Sequence, residues 1–268
     1  MEKELIGGTT KFQLNWTNSS NVLCNYMKEQ RFLNMILQNQ AIIPRYVIEP
    51  VDYLGIDGLS QICFPMTCFC DIPFSKVSSH MSRYGEYGIG IDKDVMLRMH
   101  RIQPVHYINS NSPLMDDFKE AFRMYYKSDK NLIEGEEKLL DYLFSTLLFM
   151  KPIWKQNIEK DGTVRPYIYQ DECELRFIPS DNFPSNLHLV LLPHETSEEG
   201  KNQYSKILAN HKECWLCFEW SEVRYIIVPD ESAAKRTIDT ILNLNINEDE
   251  KYLLVSKIEV SKKFSENM

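Results

Sequence analysis

Between Met66 and Tyr107 the chain packs apolar, aromatic and turn-forming residues so closely that only short strands joined by tight loops accommodate them. The segment reads M-T-C-F-C-D-I-P-F-S, then His80, then Y-G-E-Y-G-I-G-I-D-K. Loops of this composition, held on a rigid frame, are where sites tend to sit. Gly85, Gly88 and Gly90 run G-x-x-G-x-G, the reverse of a dinucleotide fingerprint, and enter a strand. That placement points to close backbone approach or a bulge.

The flanking pattern is mixed. Val22 to Met27 reads as a short strand, and Lys28 to Asn39 places Phe32, Leu33, Ile36 and Leu37 on one helical face. A Pro44-Arg45-Tyr46 turn follows. Ile62 to Phe69, Tyr87 to Ile91 and Pro104 to Ile108 read as strands; Phe118 to Tyr126 and Glu136 to Phe149 read as helices, the second stopped by Pro152. Tyr167 to Ile178, Leu187 to Leu192, Cys214 to Trp220, Arg224 to Val228 and Tyr252 to Val260 are rich in β-branched and aromatic residues and read as strands, with a helix at Ala233 to Leu242. The expected fold is α+β: one domain on a central, mostly antiparallel split sheet with flanking helices and a helical insertion at about 113–152.

At 268 residues, with 43% apolar and 12% aromatic content, the chain can bury a sizeable core. A net charge of −8 argues against an extended phosphate-tracking surface, while leaving room for a local basic pocket. No run approaches the roughly 20 apolar residues of a membrane helix, and the sequence reads as cytoplasmic. Seven scattered cysteines do not suggest a disulfide framework. Cys68 with Cys70 and Cys214 with Cys217 lie in apolar runs, where packing is preferred to a four-sulfur zinc site, and no metal is expected. Walker, zincin, Rossmann and nucleophile-elbow patterns do not occur.

The polar run Y-Q-D-E-C-E-L-R-F, Tyr169 to Phe177, holds the most chemistry. On a strand, alternation sets Glu172, Glu174 and Arg176 on one face and Cys173, Leu175 and Phe177 on the other. Two readings stay open: a solvated face with Arg176 paired to a glutamate, or an E-x-E site in which one carboxylate holds a sugar hydroxyl and the other orients an acceptor. His80 is either a helix-end histidine or a phosphate anchor or acid–base group. Asp71 reads as the cap of the following turn in preference to a catalytic group. Tyr107, Tyr125, Tyr126, Trp215 and Trp220 read chiefly as packing aromatics.

C-F-C-D-I-P-F-S, His80, Y-G-E-Y-G-I-G-I-D-K, P-V-H-Y-I-N-S-N-S and Y-Q-D-E-C-E-L-R-F-I-P resemble the AbiGi family of bacterial abortive-infection, or phage-resistance, proteins. The resemblance runs from about Val22 to Ser112, resumes at Tyr169 to Pro179 and again at Tyr225 to Glu231. It implies a role in phage defence, as the antitoxin half of a toxin–antitoxin pair with a cognate partner protein. More distantly, the order of elements is similar to the split-sheet fold of ADP-ribosyltransferases, which bind NAD. That likeness implies Glu174 as catalytic glutamate and Glu172 as its companion, with Tyr84 or Tyr87 stacking on nicotinamide and Arg45 on phosphate. Asn25 and Tyr26 would lie in the first strand, Asn25 where that family carries a ribose-holding histidine; His80 and Arg176 would complete the NAD site. The acceptor of ADP-ribose would be a protein or a nucleic acid. A non-catalytic, partner-binding antitoxin and a nucleotide sensor without turnover are the alternatives.

Overall fold

A computed structural model describes residues 19–126, 133–158, 162–181, 183–195 and 197–262. Tyr125 is described in backbone only. The first part runs β1 (Val22–Met27), α1 (Gln30–Asn39), β2 (Ala41–Ile42), β3 (Arg45–Pro50), β4 (Gln61–Cys70), α2 (Ser78–Tyr84), β5 (Tyr87–Asp92), α3 (Lys93–Met99), β6 (Gln103–Pro104) and β7 (His106–Ile108). Two longer helices, α4 (Pro113–Tyr126) and α5 (Glu134–Leu148), come next. The last part runs β8 (Met150–Pro152), β9 (Trp154–Ile158), β10 (Val164–Ile168), β11 (Glu174–Phe177), α6 (Glu198–Leu208), β12 (Leu216–Cys217), β13 (Val223–Val228), α7 (Glu231–Leu242), α8 (Glu248–Val255) and β14 (Ile258–Val260).

Mixed α and β structure is therefore observed, centred on an eight-stranded sheet of order β14-β13-β5-β1-β4-β11-β6, with β3 paired to β4. Its pairs are antiparallel except β13 with β14. The sheet divides between β1 and β4, which share a single register pair, Cys24 with Cys70. Asn25 lies beside this division and donates its side-chain amide to the Cys68 carbonyl at 2.8 Å.

Alternation sends Leu23, Ile89, Ile91, Phe69 and Leu175 to a core covered by α1 and α7, while Val22, Cys24, Cys70 and Ile227 face the other side with α2. The α1 helix buries Leu33, Ile36 and Leu37 at helical spacing. A third cluster lies under α4 and α5, around Phe64, Met115, Phe122 and Leu147.

Four expected strands differ, and of the run Cys214 to Trp220 only Leu216–Cys217 is strand, because 3₁₀ turns take up both ends. Tyr252 begins no strand, because Asn247 and Glu250 form a reciprocal cap that starts α8 and carries helix to Val255. Leu187 to Leu192 is irregular, joined to the sheet by mutual Cys63–Leu191 backbone hydrogen bonds of 2.7 and 2.9 Å. The run expected at Tyr167 to Ile178 breaks into β10, a 3₁₀ turn at Tyr169–Glu172 and β11, with Cys173 left-handed at φ 43°. Asp71 is also not a turn cap: it accepts from the Ser20 amide at 3.0 Å and pairs with the ammonium of buried Lys93.

The glycines follow from close approach. Gly88 lies under the Tyr26 ring, where a Cβ would sit 3.0 Å from Cδ1. Gly85 combines φ +118° with a virtual Cβ 2.1 Å from the Met27 carbonyl oxygen, whereas Gly58, at φ +79°, has open space around it. Gly85→Ala is expected to lower stability by at least about 2 kcal/mol and Gly58→Ala by about 1 kcal/mol. Urea midpoints measured side by side check the difference; equal shifts would show that the approach to Met27 is relieved without cost.

Candidate functional site

β11 sends Leu175 into the core and Glu174 and Arg176 to the opposite face, so the two charged side chains stack along one strand. Arg176 is 1% exposed. Its Nε donates to Glu174 Oε1 at 2.7 Å, Nη1 to the Leu148 carbonyl at 2.6 Å and Nη2 to Glu49 Oε2 on β3 at 2.8 Å. Lys151, on β8, lies against the same acids: Nζ is 2.6 Å from Glu174 Oε2, 3.1 Å from Glu172 Oε2 and 4.0 Å from Glu49 Oε2. The left-handed turn at Cys173 brings Glu172 into the cluster from the end of the 3₁₀ turn. Glu172 Oε1 accepts from the Tyr167 hydroxyl at 2.7 Å and from the Tyr84 hydroxyl. The Tyr107 hydroxyl accepts from the Glu174 amide at 2.8 Å.

Glu172 and Glu174 are 4% and 6% exposed, which overturns the reading of a solvated strand face. Burial alone would raise the Glu174 pKa, but the adjacent Arg176 and Lys151 outweigh it and draw the carboxyl down to about 2. Burial likewise opposes the charge of Lys151 and Arg176, and Glu49 and Glu174 reverse the effect, raising both cations. Burial and the Glu172 contact push Tyr167 up to about 12, so the phenol stays protonated and donates a hydrogen bond to the carboxylate. His80 is lowered chiefly by burial. Its ring lies 4.5 Å from that of Tyr84 and 5.7 Å from that of Tyr26, centroid to centroid.

A cleft of about 140 Å³ opens over Glu172, walled by Tyr53, Arg83, Tyr84, Lys155 and Tyr169. Arg83 stacks on the Tyr167 ring at 3.6 Å. Lys155 pairs with Asp52 at 3.1 Å. Among the described residues no group of three or more His, Cys, Asp and Glu is arranged to hold a metal ion. No helix there is long and apolar enough to cross a membrane.

Of the residues singled out from the sequence, Tyr84 meets Glu172 and Arg176 meets Glu174, Lys151 bridging the two pairs, and His80 and Tyr26 extend the group as a row of rings. Three stand apart. Arg45 is exposed over the Phe32 ring, four residues and therefore about 13 Å along β3 from Glu49. Tyr87 shares the parity of Ile89 and Ile91 and packs on the opposite core. Asn25 spends its amide on the Cys68 carbonyl. Glu49, Lys151 and Tyr167 were not anticipated. Lys151 and Glu49 each interrupt an otherwise apolar run, F-M-K-P-I-W and Y-V-I-E-P-V, which is the available signal for a buried, paired charge.

Arg176→Met leaves Glu49 and Glu174 under-compensated in the interior and is expected to cost about 3–5 kcal/mol. Because the folded Glu174 pKa lies below its ordinary value of 4.5, its contribution is present above about pH 4.5 and is lost as pH falls toward 2. Denaturant titrations from pH 6 to 2.5 should show that decline in the wild type and a flatter acid limb in Glu174→Gln. Parallel limbs would remove the assignment.

The matched region of a protein-family model covers residues 40–229; its description is "Putative abortive phage resistance protein AbiGi, antitoxin". A curated relative, Abortive phage resistance protein AbiGi of Lactococcus lactis subsp. cremoris, is 31% identical over 252 residues, spanning 85% of this chain and 99% of the relative. No solved structure matches. With a family match over most of the chain and a relative aligned almost end to end, this chain belongs to the AbiGi family of abortive phage resistance proteins.

Proposed function

We propose that this chain acts in phage defence as a non-catalytic, partner-binding antitoxin, and that the Glu172–Glu174–Arg176 cluster holds its frame together instead of performing acid–base chemistry. One observation carries the structural half of this reading: each oxygen of Glu172 and Glu174 already holds a donor from Lys151, Arg176, Tyr84 or Tyr167. Donors on every oxygen fix both carboxylates in place, which favours a structural role. The family description supplies the antitoxin half.

An NAD-binding, ADP-ribosyltransferase-like frame is the second reading. It is favoured by the division between β1 and β4 and by the row Tyr26, His80, Tyr84 leading to Glu172. The residues present do not fit NAD as they stand. The cleft holds about 140 Å³, short of the roughly 300 Å³ at which ligand pockets begin, and Glu174 is fully engaged by cations.

Two measurements separate the readings. Size-exclusion chromatography of the chain with the protein encoded beside it should give a stable complex, and millimolar NAD should neither raise the melting temperature nor be turned over. NAD turnover abolished in Glu174→Gln would establish the transferase reading, and NAD stabilisation without turnover would establish a sensor.

A further inference from the structure

The charge cluster has one side left open. Glu172 and Glu174 hold a donor at each oxygen, whereas Glu49, the third carboxylate, takes Arg176 at 2.8 Å and Lys151 at 4.0 Å on a single atom, Oε2. Among the described residues no donor meets Glu49 Oε1. The side chain is 17% exposed and lines the cleft of about 140 Å³ over Glu172. Such an oxygen accepts a further hydrogen bond from a solute that enters the cleft.

Arg83 is the opposite case in the same cleft. It stands exposed in the last turn of α2 and stacks on the Tyr167 ring at 3.6 Å. Stacking uses the flat face of a guanidinium and leaves the N–H donors along its edge. Among the described residues no carboxylate or carbonyl accepts from them. The other cations of the lining are engaged elsewhere: Lys155 pairs with Asp52, and Lys151 lies against Glu172 and Glu174.

The cleft is therefore balanced in sign, with Arg83, Lys151 and Lys155 facing Glu49, Asp52 and Glu172. A simple anion would satisfy Arg83 and be repelled by Glu49; a simple cation would meet the reverse. A zwitterion satisfies both. Size sets a second bound: a cavity of about 150 Å³ accepts a molecule such as benzene, so the two charges of a fitting ligand stand only a few bonds apart. Tyr53 and Tyr169, with Pro50 and Pro152, offer apolar contact to its carbon atoms.

We propose that this cleft binds a free α-amino acid as its zwitterion, the ammonium donating to Glu49 Oε1 and the carboxylate accepting from Arg83, with the side chain directed out of the cleft mouth. The site goes beyond the antitoxin reading and does not depend on it, because the oxygens of Glu172 and Glu174 take no part.

Calorimetric titration of the purified chain with each of the standard amino acids, at millimolar concentration, tests this. At least one should bind. Its N-acetyl and carboxamide derivatives, which remove the ammonium and the carboxylate in turn, should each bind at least about tenfold more weakly. Arg83→Gln should lose affinity by a similar factor with unchanged circular dichroism. Met99→Ser, 72% exposed on α3, should bind as the wild type does. No binding by any amino acid would overturn the site. Equal binding of either derivative, or of acetate or methylammonium alone, would overturn the zwitterion. Wild-type affinity in Arg83→Gln would overturn the placement of the carboxylate.

Discussion

Two cations and three carboxylates organise this protein, Arg176, Glu172 and Glu174 buried and Lys151 and Glu49 half-buried beside them. Arg176 and Lys151 lie between Glu49, Glu172 and Glu174, which come from β3, the 3₁₀ turn before β11, and β11 itself. Arg176 also takes the Leu148 carbonyl at the end of α5, so the last turn of the helical pair is joined to the sheet by the same guanidinium. Desolvating five charges is expensive, and their mutual attraction offsets that cost only when the remaining donors and lone pairs are satisfied. Tyr84, Tyr107 and Tyr167 complete the set. Three elements distant in sequence are thereby held in one arrangement: α2 by Tyr84, β7 by Tyr107 and the hairpin by Tyr167.

With one register pair between β1 and β4, the backbone ladder contributes little across the gap. Side chains take over: the Asn25 amide on the Cys68 carbonyl, the Lys93–Asp71 pair close by, and the row of rings from Tyr26 through His80 to Tyr84. Gly88 lets the Tyr26 ring lie flat across β5 and begin that row. The glycine pattern that looks like a misordered nucleotide fingerprint is therefore explained by packing.

Local periodicity made much of this legible. β1 matches its expected bounds, β4, β5, α1 and α7 lie within a few residues of theirs, and alternation correctly set Glu174 and Arg176 together opposite Leu175. Glu172 joined them for a different reason, a left-handed residue at Cys173 that no propensity indicates for a cysteine. Arg45 and Tyr87 were misplaced because matching the order of elements to a distant fold says nothing of which strand face a side chain takes. Glu49 and Lys151 escaped because their partners are 127 and 21 or more residues away in the chain, and only their intrusion into apolar runs marked them.

An E-x-E pattern by itself does not distinguish a catalytic pair from a structural one. In this chain Arg176 follows Glu174 at the spacing that returns a strand side chain to the same face, and Lys151 closes the remaining side. The arrangement that lets two glutamates be almost completely buried is the one that surrounds them with donors. It also fixes the inner, polar face of the β9–β10 hairpin through Tyr167 and so leaves Trp154 and Ile168 facing outward.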